Sequence, residues 1–301
     1  MDPIHQQFMS RQLAQLRVQL LLAKRSVCHD GWQRLRFTPT YDKLYYICDG
    51  EGWLQVGRKQ LRPKPGELVL IPGGLEQSYS VTAGPPYTKY WCHFRSNVPL
   101  RRLFHLYGLP HAVWAGDSAD LSSSFQELVE HRTNPGPARP LRIQSALLSI
   151  IAFFMERALR FQRAKYASVS PRELMETLHF IDLHLSGDLT IDELSRQAHF
   201  HPNYFIRMFK RHLGMTPMRY IQERRLEHAQ QLLETPDLAI TEIAGLSGFK
   251  DLSHFSAAFK KKYGASPTEY RNLLMNGHVD LMPEAQSDVS EPSCLFENNS
   301  R

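Results

Sequence analysis

Two stretches in the last third of the chain are degenerate copies of one another: LTIDELSRQAHFHPNYFIRMFKRHLG at residues 189–214, and LAITEIAGLSGFKDLSHFSAAFKKKYGASPTEYR at residues 238–271. Each begins with an apolar and a small residue, Leu194-Ser195 in one and Ile243-Ala244 in the other. A turn residue follows four positions later (His199; Gly248), and Phe200 or Phe249 comes next. An aromatic pair follows (Tyr204-Phe205; His254-Phe255), with Phe-Lys four residues past its second member (Phe209-Lys210; Phe259-Lys260). The pattern predicts two helices joined by a tight turn, twice over. A helix-turn-helix unit lays its second helix in a major groove. Two units in one chain therefore imply a monomer that reads two groove segments.

The local chemistry of each copy agrees. Thr190 is placed to cap a short helix on which Ile191, Leu194 and Ala198 recur at helical spacing. Ser195 and Ala244 let the two helices of each unit cross closely. Gly248 supplies the positive φ that the turn needs, and His199 is a residue type that tolerates it. Phe205, Met208 and Phe209 form the buried stripe of the first recognition helix, Phe255 and Phe259 that of the second. The opposite faces carry Asn203, Ile206, Arg207 and Arg211 in one unit and Leu252, Ser253, Ala257 and Lys261 in the other.

GASPTEYR (residues 264–271), preceded by Phe255-x3-Phe259-Lys260, resembles the signature of the AraC/XylS family of bacterial transcription regulators. Gly214-Met215-Thr216-Pro217-x2-Tyr220-Ile221-x2-Arg224-Arg225-Leu226-x2-Ala229 is similar to the helix that joins the two units in that family. The resemblance covers about a hundred residues. It implies a double-stranded DNA operator, homodimerisation, contact with RNA polymerase and, most often, activation.

Net charge adds little. The chain is +6 overall, yet residues 170–275 carry 13 Lys/Arg against 13 Asp/Glu. What counts is where the cations sit: Arg207, Lys210 and Arg211 on the first recognition helix, and Lys260, Lys261 and Lys262 at the end of the second. Such segregation suits phosphate contact even at zero net charge. Arg207 is the expected bidentate reader of guanine and Asn203 of adenine, with Ile206 beside them on the same face. In the second unit Leu252 is positioned for a thymine methyl, and Ser253 and His254 are weaker readers. Lys210, Arg211, Lys260 and Lys261 are phosphate-type contacts.

A length of 301 residues with 42% hydrophobic content predicts two globular domains. No run approaches the ~18 apolar residues of a membrane span, and residues 4–25 lack a cleavage pattern. Cys28, Cys48, Cys92 and Cys294 have no paired or metal spacing, which points to free thiols in a reducing cytoplasm. Residues 31–98 read as a β domain: KLYYIC, WLQVG, LVLIP, SYSV and YTKYWCHF alternate with turn signals, as in a barrel or jelly roll. Tyr45-Tyr46-Ile47-x2-Gly50-x-Gly52 with Pro65-Gly66-Glu67-Leu68-x-Leu70-Ile71-Pro72 resembles the cupin-like effector domain that precedes many AraC-type modules. The fold class expected is α+β: a cupin-like barrel with a helical dimerisation segment, then an all-α domain of two helix-turn-helix units.

A metal-dependent cupin enzyme is excluded by its missing ligands. Trp53, Leu54 and Gln55 stand where histidines would be expected, Gln77 stands at the later ligand position, and a transition metal needs three or four converging donors. No cofactor is expected. A binding pocket fits better, because barrel mouths are common ligand sites. Aromatic faces stack on the C–H faces of sugars. In the arabinose-responsive member of the family a Tyr and a Trp line the pocket, and the resemblance places Tyr79 and Trp91 at those positions. Asp49 takes the place of its sugar-contacting Arg, so polar recognition must differ. Trp32 and His93 complete the candidate set for a saccharide effector.

Helices at 121–132 and 141–160, joined by TNPGPARP, carry apolar stripes wide enough to cover the barrel and leave a seam for a partner. The expected division is an N-terminal arm or helix over 1–30 (Phe8, Met9, Leu13, Leu16 and Leu20 forming its apolar side), the barrel over 31–98 and the dimerisation segment over 99–161. A linker at 162–170, the DNA-binding domain at 171–275 and a disordered acidic tail at 276–301 complete it. The linker helix from Pro217 to about residue 234 would span roughly 27 Å at 1.5 Å per residue. It holds the recognition helices for successive major grooves. Two readings remain open: an effector-responsive regulator, and a ligand-independent regulator whose barrel only dimerises.

Overall fold

A period-two alternation is blurred wherever a strand is covered on both sides, and the central strands of this protein are covered on both sides. The computed structural model describes residues 3–29, 31–82, 84–130, 136–165 and 172–275. The chain divides into two compact units; the main division in the sequence falls between Val169 and Ser170, and residues 3–8 group with the second unit.

The chain opens on α1 (Pro3–Ala14), and the first unit then has eight strands: β1 (Val18–Val27), β2 (Gln33–Phe37), β3 (Asp42–Asp49), β4 (Gly52–Val56), β5 (Lys59–Leu61), β6 (Glu67–Ile71), β7 (Gln77–Val81) and β8 (Thr88–Ser96). Then come α2 (Leu100–Tyr107), β9 (Ala112–Trp114), α3 (Ala119–Glu130) and α4 (Arg139–Lys165). The strands form two antiparallel sheets, β1-β8-β3-β6-β9 and β2-β7-β4-β5. Between the sheets lies a core of Trp32, Phe37, Tyr45, Ile47, Leu54, Val56, Val69, Ile71, Tyr79, Tyr87 and Trp91. The other face of the larger sheet is equally buried: Leu44, Tyr46, Leu68, Leu70, Tyr90, Cys92 and Phe94. Phe125 of α3 stacks on Tyr46 and Tyr90, and α3 and α4 pack on β1.

Several sequence boundaries move. Residues 18–27 are a barrel strand paired along β8, not the end of an N-terminal helix, so Leu20 belongs to the sheet. Its LLLA run (residues 20–23) is apolar on both faces because helices cover one and the barrel the other. The barrel also extends past 98, because β9 pairs with β6 through Glu67↔Trp114 and Val69↔Ala112. β2 and β5, which the sequence does not single out as strands, are short edge strands with little apolar content. α4 runs to Lys165, into the segment read as linker. The rest of that segment (166–170) and the acidic tail lie outside the described residues.

The second unit is all helical: α5 (Arg172–Leu183), α6 (Ile191–Gln197), α7 (Pro202–Leu213), α8 (Pro217–Leu232), α9 (Ile240–Leu246), α10 (Leu252–Tyr263) and α11 (Pro267–Met275). α8 ends at Leu232, two residues short of the expected stop, so its span is nearer 24 Å than 27 Å at ~1.5 Å per residue. Among the described residues no helix is long and apolar enough to cross a membrane.

Candidate nucleic-acid interface and effector barrel

Each helix-turn-helix is fixed by its caps and its turn. In the first, the Thr190 hydroxyl accepts from Glu193 N at 3.2 Å, which satisfies one of the free donors of the α6 N-terminus. His199 takes φ 56° at the turn to α7. Phe205, Met208 and Phe209 are buried as the inner stripe. In the second, the Asp251 carboxylate accepts from His254 N at 2.6 Å at the start of α10. Gly248 takes φ 83°, and a Cβ there would collide with the Leu185 carbonyl oxygen and lie 2.7 Å from Arg225 Nε. The turn therefore needs glycine for space as well as for conformation.

Contacts centred on α8 lock the two helix-turn-helix motifs of this second unit together. Arg225 donates from Nε to Leu185 O at 2.9 Å and from Nη2 to Gly187 O at 2.6 Å. Arg224 pairs with Asp182 of α5 at 2.8 Å and with Glu227 at 2.7 Å. Burial alone would lower the Arg224 pKa, but the two carboxylates outweigh it and push it up. Lys250 reaches Asp188 at 2.8 Å, and the Lys250 hydrogen bond and charge lower the Asp188 pKa. The SPTEY run (residues 266–270) is a capping box: Glu269 accepts from Ser266 N at 2.7 Å and Ser266 Oγ accepts from Glu269 N at 3.3 Å. Pro267 occupies the first helical position, where its missing N–H costs nothing. Tyr270 accepts from Gln230 Nε2 at 2.6 Å, which pins α11 to α8.

The residues expected to face DNA are on the surface. Asn203, Arg207, Lys210 and Arg211 are exposed on α7, with Ile206 half-buried beside them. Leu252, Ser253, His254, Lys260 and Lys261 are exposed on α10. Lys262 departs from the expected cationic cluster. It is half-buried and donates to Glu223 O at 3.1 Å and Glu227 Oε1 at 3.3 Å, because one more residue along the helix turns it onto α8. Sequence reasoning also missed Arg224, Arg225 and Lys250 as the ties between units. Only the family-like spacing of the two arginines hinted at them.

In the barrel, four of the five candidate effector residues converge on the interior and one does not. Trp32 stacks on Tyr79 with ring centres 4.4 Å apart. Trp91 lies 4.8 Å from the His93 ring, which in turn lies 4.7 Å from Tyr41. The Trp91 indole N–H donates to Ser26 Oγ at 3.0 Å. Asp49 stands apart: it is exposed, and its carboxylate accepts from the adjacent Gly50 N at 2.8 Å. A register shift between Ile47 and Asp49 breaks the inward alternation just before it, so Asp49 shapes a turn. Two interior residues escaped the sequence reading, Lys43 and Lys89. Their signal was phase, since each stands two residues before an inward aromatic, Tyr45 or Trp91.

Comparison with known proteins agrees with this architecture. The family described as AraC-like ligand binding domain matches residues 37–151, and a helix-turn-helix domain family matches residues 194–273. The first match runs through β9 into α4, so barrel and covering helices form one domain. The MmsAB operon regulatory protein of Pseudomonas aeruginosa is 26% identical over 253 residues, covering 78% of this chain and 76% of its own. The lactose operon transcription activator of Staphylococcus xylosus is 22% identical over 232 residues, covering 76% and 83%. The raffinose operon transcriptional regulatory protein of Pediococcus pentosaceus is 26% identical over 242 residues, covering 77% and 84%. These are regulators and not enzymes. With both of its domains matched in order, the chain belongs to the AraC family of DNA-binding transcription regulators.

Proposed function

We propose that this regulator is an effector-controlled activator that binds its operator as a homodimer, engages RNA polymerase in the cytoplasm and is switched by a sugar-like molecule inside the barrel. The observation that carries the proposal is the aromatic interior, where Trp32, Tyr79, Trp91 and His93 are brought together from separate segments of the chain. Similarity to regulators of lactose and raffinose operons supports the sugar class. On the DNA side, Arg207 reads guanine and Asn203 adenine. Ile206 and Leu252 supply apolar contacts, Ser253 and His254 hydrogen bonds, and Lys210, Arg211, Lys260 and Lys261 hold phosphates. For dimerisation, Leu141, Leu148, Ala152 and Leu159 fall on one stripe of α4. Leu141 is 71% exposed, Ala152 is exposed, and Leu148 and Leu159 are half-buried.

A second reading, in which the barrel only dimerises, is favoured by one observation: Trp32, Tyr79 and Trp91 already belong to the packed core. The two separate in a binding experiment on the full chain. Operator affinity is measured by fluorescence anisotropy with DNA from upstream of the neighbouring genes, with and without a sugar panel. A tenfold or larger change with one sugar supports effector control. Affinity unmoved by every panel member supports the second reading.

A further inference from the structure

Six consecutive residues of β1, Val18 to Ala23, line one groove of about 560 Å³, with Arg139 and Ile143 of α4 in its other wall. Successive side chains of a strand point to opposite faces of its sheet. A groove that all six touch therefore runs along the edge of the strand, where the backbone is offered. β1 is the end strand of its sheet, and among the described residues β8 is its only strand neighbour. An apolar edge of this kind is a template for pairing with another chain. Val18, Leu20, Leu21 and Leu22 are all half-buried, so covering the edge also removes apolar surface from water. In the facing wall Arg139 Nε is shut off from solvent without a hydrogen-bond partner. It is a donor for a strand carbonyl that enters the groove.

The strand fits a copy of itself. Leu20 is opposite Phe94 and Leu22 is opposite His93, so Leu21 is an extra residue in the pairing with β8. The extra residue puts the two halves of β1 out of step. Gln19 and Lys24, opposite Arg95 and Trp91, share one face of the sheet. Val18 and Arg25, opposite Ser96 and Tyr90, share the other, as do Leu20 and Ala23. An antiparallel pair of β1 strands with its two-fold axis between Leu21 and Leu22 sets Gln19 against Lys24, Val18 against Arg25 and Leu20 against Ala23. Each of these pairs lies on one face. A slip of one residue opposes residues of different faces. A slip of two toward the N-terminus sets Arg17 against Lys24, and like charges directly opposite destabilise a pair. A slip of two the other way sets Leu22 against Ala23, which face opposite sides.

We infer that β1 is a dimer edge: the β1 strands of two copies of this chain pair antiparallel in that register and join their five-stranded sheets into one. The contact is isologous, as a two-fold dimer requires. The inference rests on the homodimer reading and gives it a strand pair beside the α4 face. Leu141 of that face, 71% exposed, follows directly on the groove residue Pro140.

The test uses the full chain, with the wild type as control for its native thiols. Under mild oxidation the Val18→Cys/Arg25→Cys variant is expected to form a disulfide-linked dimer, and Arg17→Cys/Lys24→Cys is not. Gln19→Lys sets two lysines against each other and is expected to weaken dimerisation at least tenfold in sedimentation velocity at low salt. Gln19→Lys/Lys24→Gln restores the same pair with its members exchanged and is expected to recover it. Circular dichroism checks that each variant keeps the wild-type fold. A dimer that cross-links through positions 17 and 24, or through neither pair, overturns the inference, as does a dimer indifferent to Gln19→Lys. If Leu148→Glu still dissociates that dimer, the α4 reading stands. A full chain that stays monomeric overturns both.

Discussion

At the scale of single residues, Asp42 makes a prediction about pH. Its carboxylate is fully buried on β3, accepting from Gly73 N at 2.9 Å and Ser96 Oγ at 2.6 Å. Burial outweighs those hydrogen bonds and raises its pKa from 3.8 to about 6. A raised folded-state value means that the native state holds the proton more tightly. The stability from that proton is complete below about pH 4 and lost as pH rises through about 6, roughly 3 kcal/mol in all. His111 works in the opposite sense. Burial first, against a hydrogen bond to Leu70 O, lowers its pKa to about 4, so its contribution is present above about pH 6.5 and lost below. Comparing wild type with Asp42→Asn cancels the His111 part. Urea unfolding at pH 5 and pH 7.5 is expected to show the variant gaining relative stability at the higher pH; equal pH dependence in both proteins contradicts this account.

Arg207 belongs to the same scale. Replacing it with Ala is expected to cost ~1–3 kcal/mol of operator affinity and to relax specificity at one base pair. Binding to a set of single-base operator variants measures both. Uniform weakening across the set would instead make Arg207 a phosphate contact.

At the scale of elements, the turn of the second helix-turn-helix is the more constrained. Gly248→Ala places a Cβ at φ 83° against the Leu185 carbonyl and Arg225. A loss of at least ~1–3 kcal/mol in thermal stability is expected from the backbone strain alone, together with weaker DNA binding. His199→Gly, at φ 56° with an L side chain already in place, is expected to change stability by far less. Similar losses at both turns would refute the asymmetry.

Elements also show what was legible in the sequence. The caps, the turns and the Phe205–Phe209 and Phe255–Phe259 stripes were readable because helical spacing and turn chemistry are local. So were β3, β4, β6, β7 and β8, each bounded by turn residues. β1 was not, since its mostly half-buried LLLA run, met by helices on one face and by the barrel on the other, loses its alternation. Asp49 was misplaced because a strand irregularity has no sequence mark. Lys43 and Lys89 were overlooked because a lysine between apolar residues normally reads as the wet face of a strand. Lys262 was grouped with its neighbours because charge clustering ignores which way each side chain turns.

At the scale of the whole molecule, dimerisation through α4 predicts that Leu148→Glu shifts the full chain to monomer in sedimentation velocity. DNA affinity should fall with it, while the circular dichroism spectrum is retained. A dimer that survives the substitution places the interface elsewhere.

The central claim is that both helix-turn-helix units of one chain engage the same duplex, held by α8 and the Arg224, Arg225 and Lys262 ties. Guanine-methylation interference on a single protomer's site tests it most directly. The account predicts two clusters of interfering guanines centred about 10–10.5 base pairs apart on one face of the DNA, with Arg207→Ala weakening only one. A single cluster, or two on opposite faces, would contradict it.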